Sequence, residues 1–174
     1  VTKDVVAAIL ERRSVRRFSE RSIPEVTIGR LLDAARFAPS AGNIQPWHFY
    51  VVINKDKQEK LRNAALGQPA VSQAAAVIVV CAIPGLAQKR YGERGEKLYC
   101  LQDTAAAVEN ILLAATGYGL GSCWIGAFEE KRVRQALDMP VEHLPVAMVA
   151  LGYPDREAKS PVKKPLDEIT TIIR

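Results

Sequence analysis

The stretch Pro39-Ser40-Ala41-Gly42-Asn43-Ile44-Gln45-Pro46-Trp47 decides how this chain is read. A helical pattern with Ile28, Leu31, Leu32 and Ala35 on its apolar stripe enters it from Pro24, and a strand pattern, Trp47 to Ile53, leaves it. Pro39 and Pro46 each fix one backbone torsion and turn the preceding residue away from helical geometry, so the connection is stiff. It shows Ser40, Asn43 and Gln45 to whatever lies outside. A rigid polar turn at the end of an element suits a ligand. It equally suits a helix-to-strand connection that binds nothing, and the turn alone leaves both readings open.

Outward from the turn, composition narrows the class. The chain has 174 residues, 48% hydrophobic and 25% charged, which is one globular domain with material for a real core. No apolar run approaches the ~20 residues of a membrane span. Val1-Thr2-Lys3-Asp4 lacks the basic region and apolar stretch of a signal peptide. Cys81, Cys100 and Cys123 are odd in number and widely spaced, and His48 and His143 complete no metal set. A cytoplasmic protein with three core thiols is expected, with no metal and no membrane attachment.

The net charge of +5 is uneven: Arg12, Arg13, Arg16, Arg17 and Arg21 crowd one stretch, and Lys159, Lys163 and Lys164 another. Such clusters suit a nucleic acid, a phosphorylated small molecule, or plain solvent. Val15 and Phe18 interrupt the arginines as apolar anchors, which favours a defined pocket over a flexible basic tail. Aromatics are only 6% and do not interleave with the basic residues, so no nucleic-acid partner is expected.

The remaining pattern alternates helix and strand. Thr2 or Asp4 opens a helix to about Arg12 with Val5, Val6, Ile9 and Leu10 on its apolar side. Lys57 to Leu66 reads as a helix ended by Gly67, and Pro69 to Gln73 as a further short one. Ala76 to Ile83 is a buried central strand, and Leu98 to Thr116 a long helix apolar on more than one side, suited to pairing across a dimer axis. Between them, residues 84–97 hold Gly85, Gly92 and Gly95 among charges, the character of a mobile loop or loose helical lid. Ser122 to Ala127 and Leu144 to Gly152 read as strands flanking a helix, Glu129 to Leu137. The polar tail from Pro154 ends in a strand pattern, Glu168 to Ile173, for which a partner subunit is a natural platform.

No GxGxxG follows a strand, and GxxxxGK[ST], GxSxG and HExxH do not occur, so kinase and hydrolase readings have no support. Four segments carry a resemblance instead: Arg12-Arg13-Ser14-Val15-Arg16-Arg17-Phe18; Ala38 to Trp47; Gly119-Leu120-Gly121-Ser122-Cys123-Trp124-Ile125-Gly126; and Lys163-Lys164-Pro165-Leu166. In type, order and separation they resemble the nitroreductase family of FMN-dependent oxidoreductases, over nearly the whole chain.

The resemblance implies an α+β fold, with a central, mostly antiparallel sheet flanked by helices. It implies a single domain, 1–174, in an intertwined homodimer. Residues 154–174 would embrace the partner, with the C-terminal strand packing on it. Two FMN sites would lie at the interface. Arg12, Arg13, Ser14 and Arg16 would hold FMN from one subunit, and Pro39, Ser40, Asn43 and Gln45 would face it from the other. Gln68 would approach the polar edge of the ring, and Ile125 and Gly126 would offer backbone groups near N5. Lys163 and Lys164 would join Arg12 at the phosphate, where each charge-assisted hydrogen bond is worth roughly 1.5–3 kcal/mol.

No side-chain catalyst is implied, because the cofactor carries the hydride chemistry. NADH or NADPH would be the donor and a nitroaromatic or quinone the acceptor, in ping-pong turnover. The same scaffold also suits a flavin-storing protein, or dehalogenase-like or flavin-destroying chemistry. His48 as a proton donor, and Tyr91 and Tyr99 as lining of the acceptor pocket, are weaker candidates than structural residues, and Cys123 reads as packing.

Overall fold

Seven consecutive apolar residues, Ala76–Ala82, form strand β2, and every one is buried. The alternation of a strand then assigns them to two cores. Val77, Val79 and Cys81 face one layer with Leu61, Val71, Val133 and Met148. Ile78 and Val80 face the other with Leu31, Ile111, Val149 and Leu151. The computed structural model describes residues 4–174, so Thr2 lies outside the described residues.

In chain order the helices are α1 (Val5–Glu11), α2 (Glu25–Arg36), α3 (Lys55–Ala64), α4 (Pro69–Gln73), α5 (Pro84–Arg94), α6 (Cys100–Gly117) and α7 (Glu130–Leu137). The other strands are β1 (Trp47–Val52), β3 (Gly121–Ile125) and β4 (Leu144–Gly152). The sheet runs β1-β2-β4-β3, and all three pairings are antiparallel. Helices α2 and α6 contribute to the core on one face, and α3, α4 and α7 to the core on the other. The expected α+β architecture is therefore present.

Local chemistry sets the boundaries. Asp4 caps α1 by accepting from the Ala7 N–H, and Asn54 caps α3 by accepting from that of Lys57, which starts α3 two residues before the expected Lys57. Pro39 does not itself end α2, which closes at Arg36 with Phe37 as its cap. Of the two expectations for residues 84–97, a loop or a loose helical lid, the backbone is helical. Gly92 breaks α5 at φ 58°, ψ −145°, a conformation open to glycine. A π-helical turn, Gly95–Tyr99, then joins α5 to α6. A Cβ at Gly95 would collide with the Ala87 carbonyl, so the bare glycine lets this hairpin close.

Two apolar surfaces stay open within the chain. On α1 only Ala8 is buried, while Val5, Val6, Ile9 and Leu10 are 54–67% exposed. In the tail, Val162, Leu166, Ile169, Ile172 and Ile173 are exposed. The strand expected at 168–173 does not form within one chain: Leu166–Glu168 is a single 3-10 turn, and residues 169–174 pair with no strand. A strand needs a sheet edge, and this segment meets none here.

Candidate active site

The proline-bounded turn is built from backbone conformations that are rare outside glycine. Gly42, Asn43 and Gln45 all sit at left-handed φ, 58°, 55° and 53°. A left-handed non-glycine residue costs roughly 1–2 kcal/mol, so the surroundings must hold it. Ser40 Oγ accepts from the Gln45 N–H at 3.0 Å, and the Gln45 amide donates to Asn43 Oδ1 at 3.3 Å. Asp103 Oδ1, on α6, accepts from the Ala41 N–H at 3.1 Å. Arg90 donates to the Gly42 carbonyl at 3.4 Å. The outcome is a braced turn with Ser40 half-buried and Pro39, Asn43 and Gln45 exposed.

The arginine segment is threaded along the sheet by its apolar residues. The Val15 N–H donates to the Ser122 carbonyl at 2.9 Å and the Ser19 N–H to that of Tyr153 at 2.9 Å. Gly121 and Gly152 leave the room that Val15 and Phe18 fill, since a Cβ at either glycine would lie 2.8 Å from those side chains. With Val15 and Phe18 buried, Ser14, Arg16 and Arg17 are left exposed. Arg13 is occupied differently: it donates to the carbonyls of Leu10 at 2.6 Å and Arg12 at 2.8 Å, closing the C-terminus of α1. Arg12 is half-buried, 4.0 Å from Glu109.

A cavity of about 1250 Å³ opens beside this segment, lined among others by Arg16, Arg17, Lys55, Gln68 and Arg156. A second, of about 560 Å³, brings Ser14, Arg16, Arg17, Arg156 and Lys159 together. Gln68 donates to the Ala127 carbonyl at 3.1 Å, tying the start of α4 to the loop after β3. β3 ends at Ile125, which is buried, and the loop begins at Gly126, which is exposed. Arg16 lies close enough to Cys123 to favour its thiolate, although burial dominates and pushes that thiol up.

One chain thus gathers only part of the expected set. Ser14 and Arg16 share a cavity, and Arg16 and Gln68 share the larger one. Pro39, Ser40, Asn43 and Gln45 line neither. Lys163 and Lys164 are exposed and make no hydrogen bond or ion pair among the described residues. Arg156, which lines both cavities, was missed by sequence reasoning: it stands in the polar tail, where only its charge could have signalled it.

His48 lines neither cavity. Its ring lies 4.5 Å from that of His143 and 4.7 Å from Tyr50, and the Tyr50 hydroxyl meets His143 Nδ1 at 2.7 Å. Burial and then the second imidazole hold its pKa below the usual histidine value. Tyr91 and Tyr99 stack edge to face at 5.3 Å within the α5 hairpin. Among the described residues no group of three His, Cys, Asp or Glu side chains could hold a metal ion.

The family model described as the nitroreductase family matches residues 9–153. The chain belongs to the nitroreductase family. A relative from Archaeoglobus fulgidus, provisionally named an NADH dehydrogenase/NAD(P)H nitroreductase, is 41% identical over 159 residues, covering 89% of this chain and 88% of its own. The FMN reductase (NADPH) of Bacillus subtilis is 29% identical over 164 residues, covering 87% of this chain and 66% of its own. Among solved structures, a nitroreductase-like protein from Streptococcus mutans superposes with a TM-score of 0.91 at 26% identity, covering 97% of this chain and 98% of that one. Ser14, Arg16 and Arg17 are exposed beside these cavities, and among the described residues no carboxylate forms an ion pair with either arginine. No helix among the described residues is long and apolar enough to cross a membrane.

Proposed function

We propose that this chain is an FMN-dependent NAD(P)H oxidoreductase that works as a homodimer in the cytosol and passes electrons to nitroaromatic, quinone or similar small acceptors. The observation that carries this reading is the pair of cavities that share Arg16, Arg17 and Arg156, one lined also by Ser14 and the other by Gln68, in a chain of the nitroreductase family. FMN, when bound, supplies the acceptance and donation of hydride.

The chain's own residues supply binding and charge. Ser14, Arg12, Lys163 and Lys164 would hold the phosphate, and Arg156 is a further cation beside the same cavities. Arg16 would place fixed positive charge where the flavin gains electrons, favouring its reduced state. Arg13, engaged at the end of α1, would act by stiffening the segment. Gln68, Ile125 and Gly126 would present polar groups to the ring edge. Pro39, Ser40, Asn43 and Gln45 would close over it from the second subunit, which accords with their lining neither of the two arginine-bearing cavities. Donor and acceptor would use the same space in turn, which is ping-pong kinetics.

The open apolar face of α1 and the apolar tail support the dimer, since a contiguous exposed apolar surface marks an interaction site. The purified protein should show a flavin spectrum that NADH or NADPH bleaches anaerobically and that a quinone or nitroaromatic restores. A colourless protein that takes up no FMN would refute the reading. Flavin that neither nucleotide bleaches would identify a flavin-storing protein instead.

A further inference from the structure

Asp103 has no place in the reading above, yet it is the most unusual polar residue of the turn's surroundings. It lies on the first turns of α6, is 7% exposed, and reaches the Ala41 N–H across 62 residues of sequence. Its second carboxylate oxygen, Oδ2, is enclosed and accepts no hydrogen bond among the described residues. A buried carboxylate with one oxygen unsatisfied is expensive to keep. A neutral hydrogen-bond acceptor at this place would hold a helix to a loop with less cost.

From this geometry we infer that Asp103 is a positioning residue for the flavin site: through Ala41 it fixes the strained turn whose Asn43 and Gln45 present themselves to the cofactor. This rests on the FMN reading of the preceding section. Ala41 is the first residue of the 3-10 turn, and Gly42, Asn43 and Gln45 follow it at left-handed φ. Anchoring its N–H fixes where that left-handed run begins. A negative acceptor makes the stronger bond, and strength matters because the turn stores strain that would otherwise relax. Ser40 Oγ holds the far side, at Gln45, so the two anchors fix both ends of the segment that carries Asn43.

The titratable neighbours are few. Cys100, one turn earlier on α6, has its thiol pushed up by burial first and by Asp103 second, and so stays neutral. Glu96, on the π-helical turn, faces that thiol. Arg90 and Tyr91 of α5 meet the turn at Gly42. Burial holds the Asp103 carboxyl above its ordinary value, partly offset by the Ala41 N–H. As pH falls through that raised range the acceptor loses its charge, the anchor weakens, and FMN should bind less tightly.

The test is FMN titration of the apoprotein across pH, followed by flavin fluorescence, for wild type, Asp103→Ala and Asp103→Asn. At neutral pH Asp103→Ala should bind FMN at least about tenfold more weakly, the value of one hydrogen bond to a charged group. Asp103→Asn keeps an oxygen for the Ala41 N–H but not the charge, and should restore only part of that loss. Its affinity should also lose the acid slope seen in wild type. The phosphate's own ionisation near pH 6 is common to both proteins and cancels. A purely structural role would move thermal stability without flattening the slope.

Affinity within twofold of wild type in a folded Asp103→Ala protein would overturn the proposal, as would an acid slope that survives unchanged in Asp103→Asn. If Asp103→Ala does not fold, the slope comparison decides. A wild-type protein that takes up no FMN would remove the flavin reading and this one together, whereas FMN uptake indifferent to both variants would remove this one alone.

Discussion

A side chain at Gly42 would be both crowded and strained. A Cβ there would sit 2.5 Å from the Tyr91 hydroxyl and 3.0 Å from the Arg90 guanidinium carbon, on a backbone at φ 58°. Gly42→Ala should therefore combine a steric clash with left-handed strain of roughly 1–2 kcal/mol, lowering the melting temperature and FMN affinity together. Adding Tyr91→Phe should recover the steric part alone; a double variant no better than Gly42→Ala would show that Tyr91 is free to move aside. His48 makes a different prediction. Its pKa is lowered in the folded protein, so the unfolded chain takes up the proton more readily. Stability should be complete above the unfolded value near 6.5 and decline as pH falls through and below it. His48→Gln should flatten the melting temperature between pH 7.5 and 5, and an unchanged decline would place its origin elsewhere.

At the scale of elements, α1 spends its apolar side on solvent within one chain. Ile9→Asp, on its exposed face, should leave the monomer's fold intact yet shift the protein to monomers in sedimentation and weaken FMN binding. A stable dimer in this variant would exclude α1 from the interface. The same elements show what could be read from the chain beforehand. Strand β2 was legible because its seven apolar residues leave no other place than the centre of a sheet. The Pro39–Pro46 turn was legible because proline restricts its own torsion and its neighbour's. Helix α5 was legible only as one of two readings, a loop or a loose helical lid, because Gly85, Gly92 and Gly95 lower local propensity, while the contact between Gly95 and Ala87 that closes the hairpin is invisible to periodicity. Asp103 was hidden for a related reason: it reads as a polar position on a helix, and its partner is a backbone N–H far away in sequence. The tail strand was read from residue type, but type cannot supply the sheet edge that a strand needs.

Across the whole molecule, two apolar layers sandwich one antiparallel sheet, and the three thiols are distributed through it. Cys81 is in β2, Cys123 in the edge strand β3, and Cys100 at the head of α6, and all three are buried. Burial holds each in its unreactive protonated form, that of Cys81 with a pKa pushed up to about 12. An alkylating reagent can therefore reach each sulfur only when its own neighbourhood opens. Native sequence thus supplies three internal clocks: the modification rate at Cys100 times the loosening of the α5 hairpin, at Cys123 the fraying of the outer strand beside the arginine segment, and at Cys81 the rupture of the sheet's centre. Adding flavin while those clocks run would reveal which parts of the architecture the cofactor holds shut, without a single engineered label.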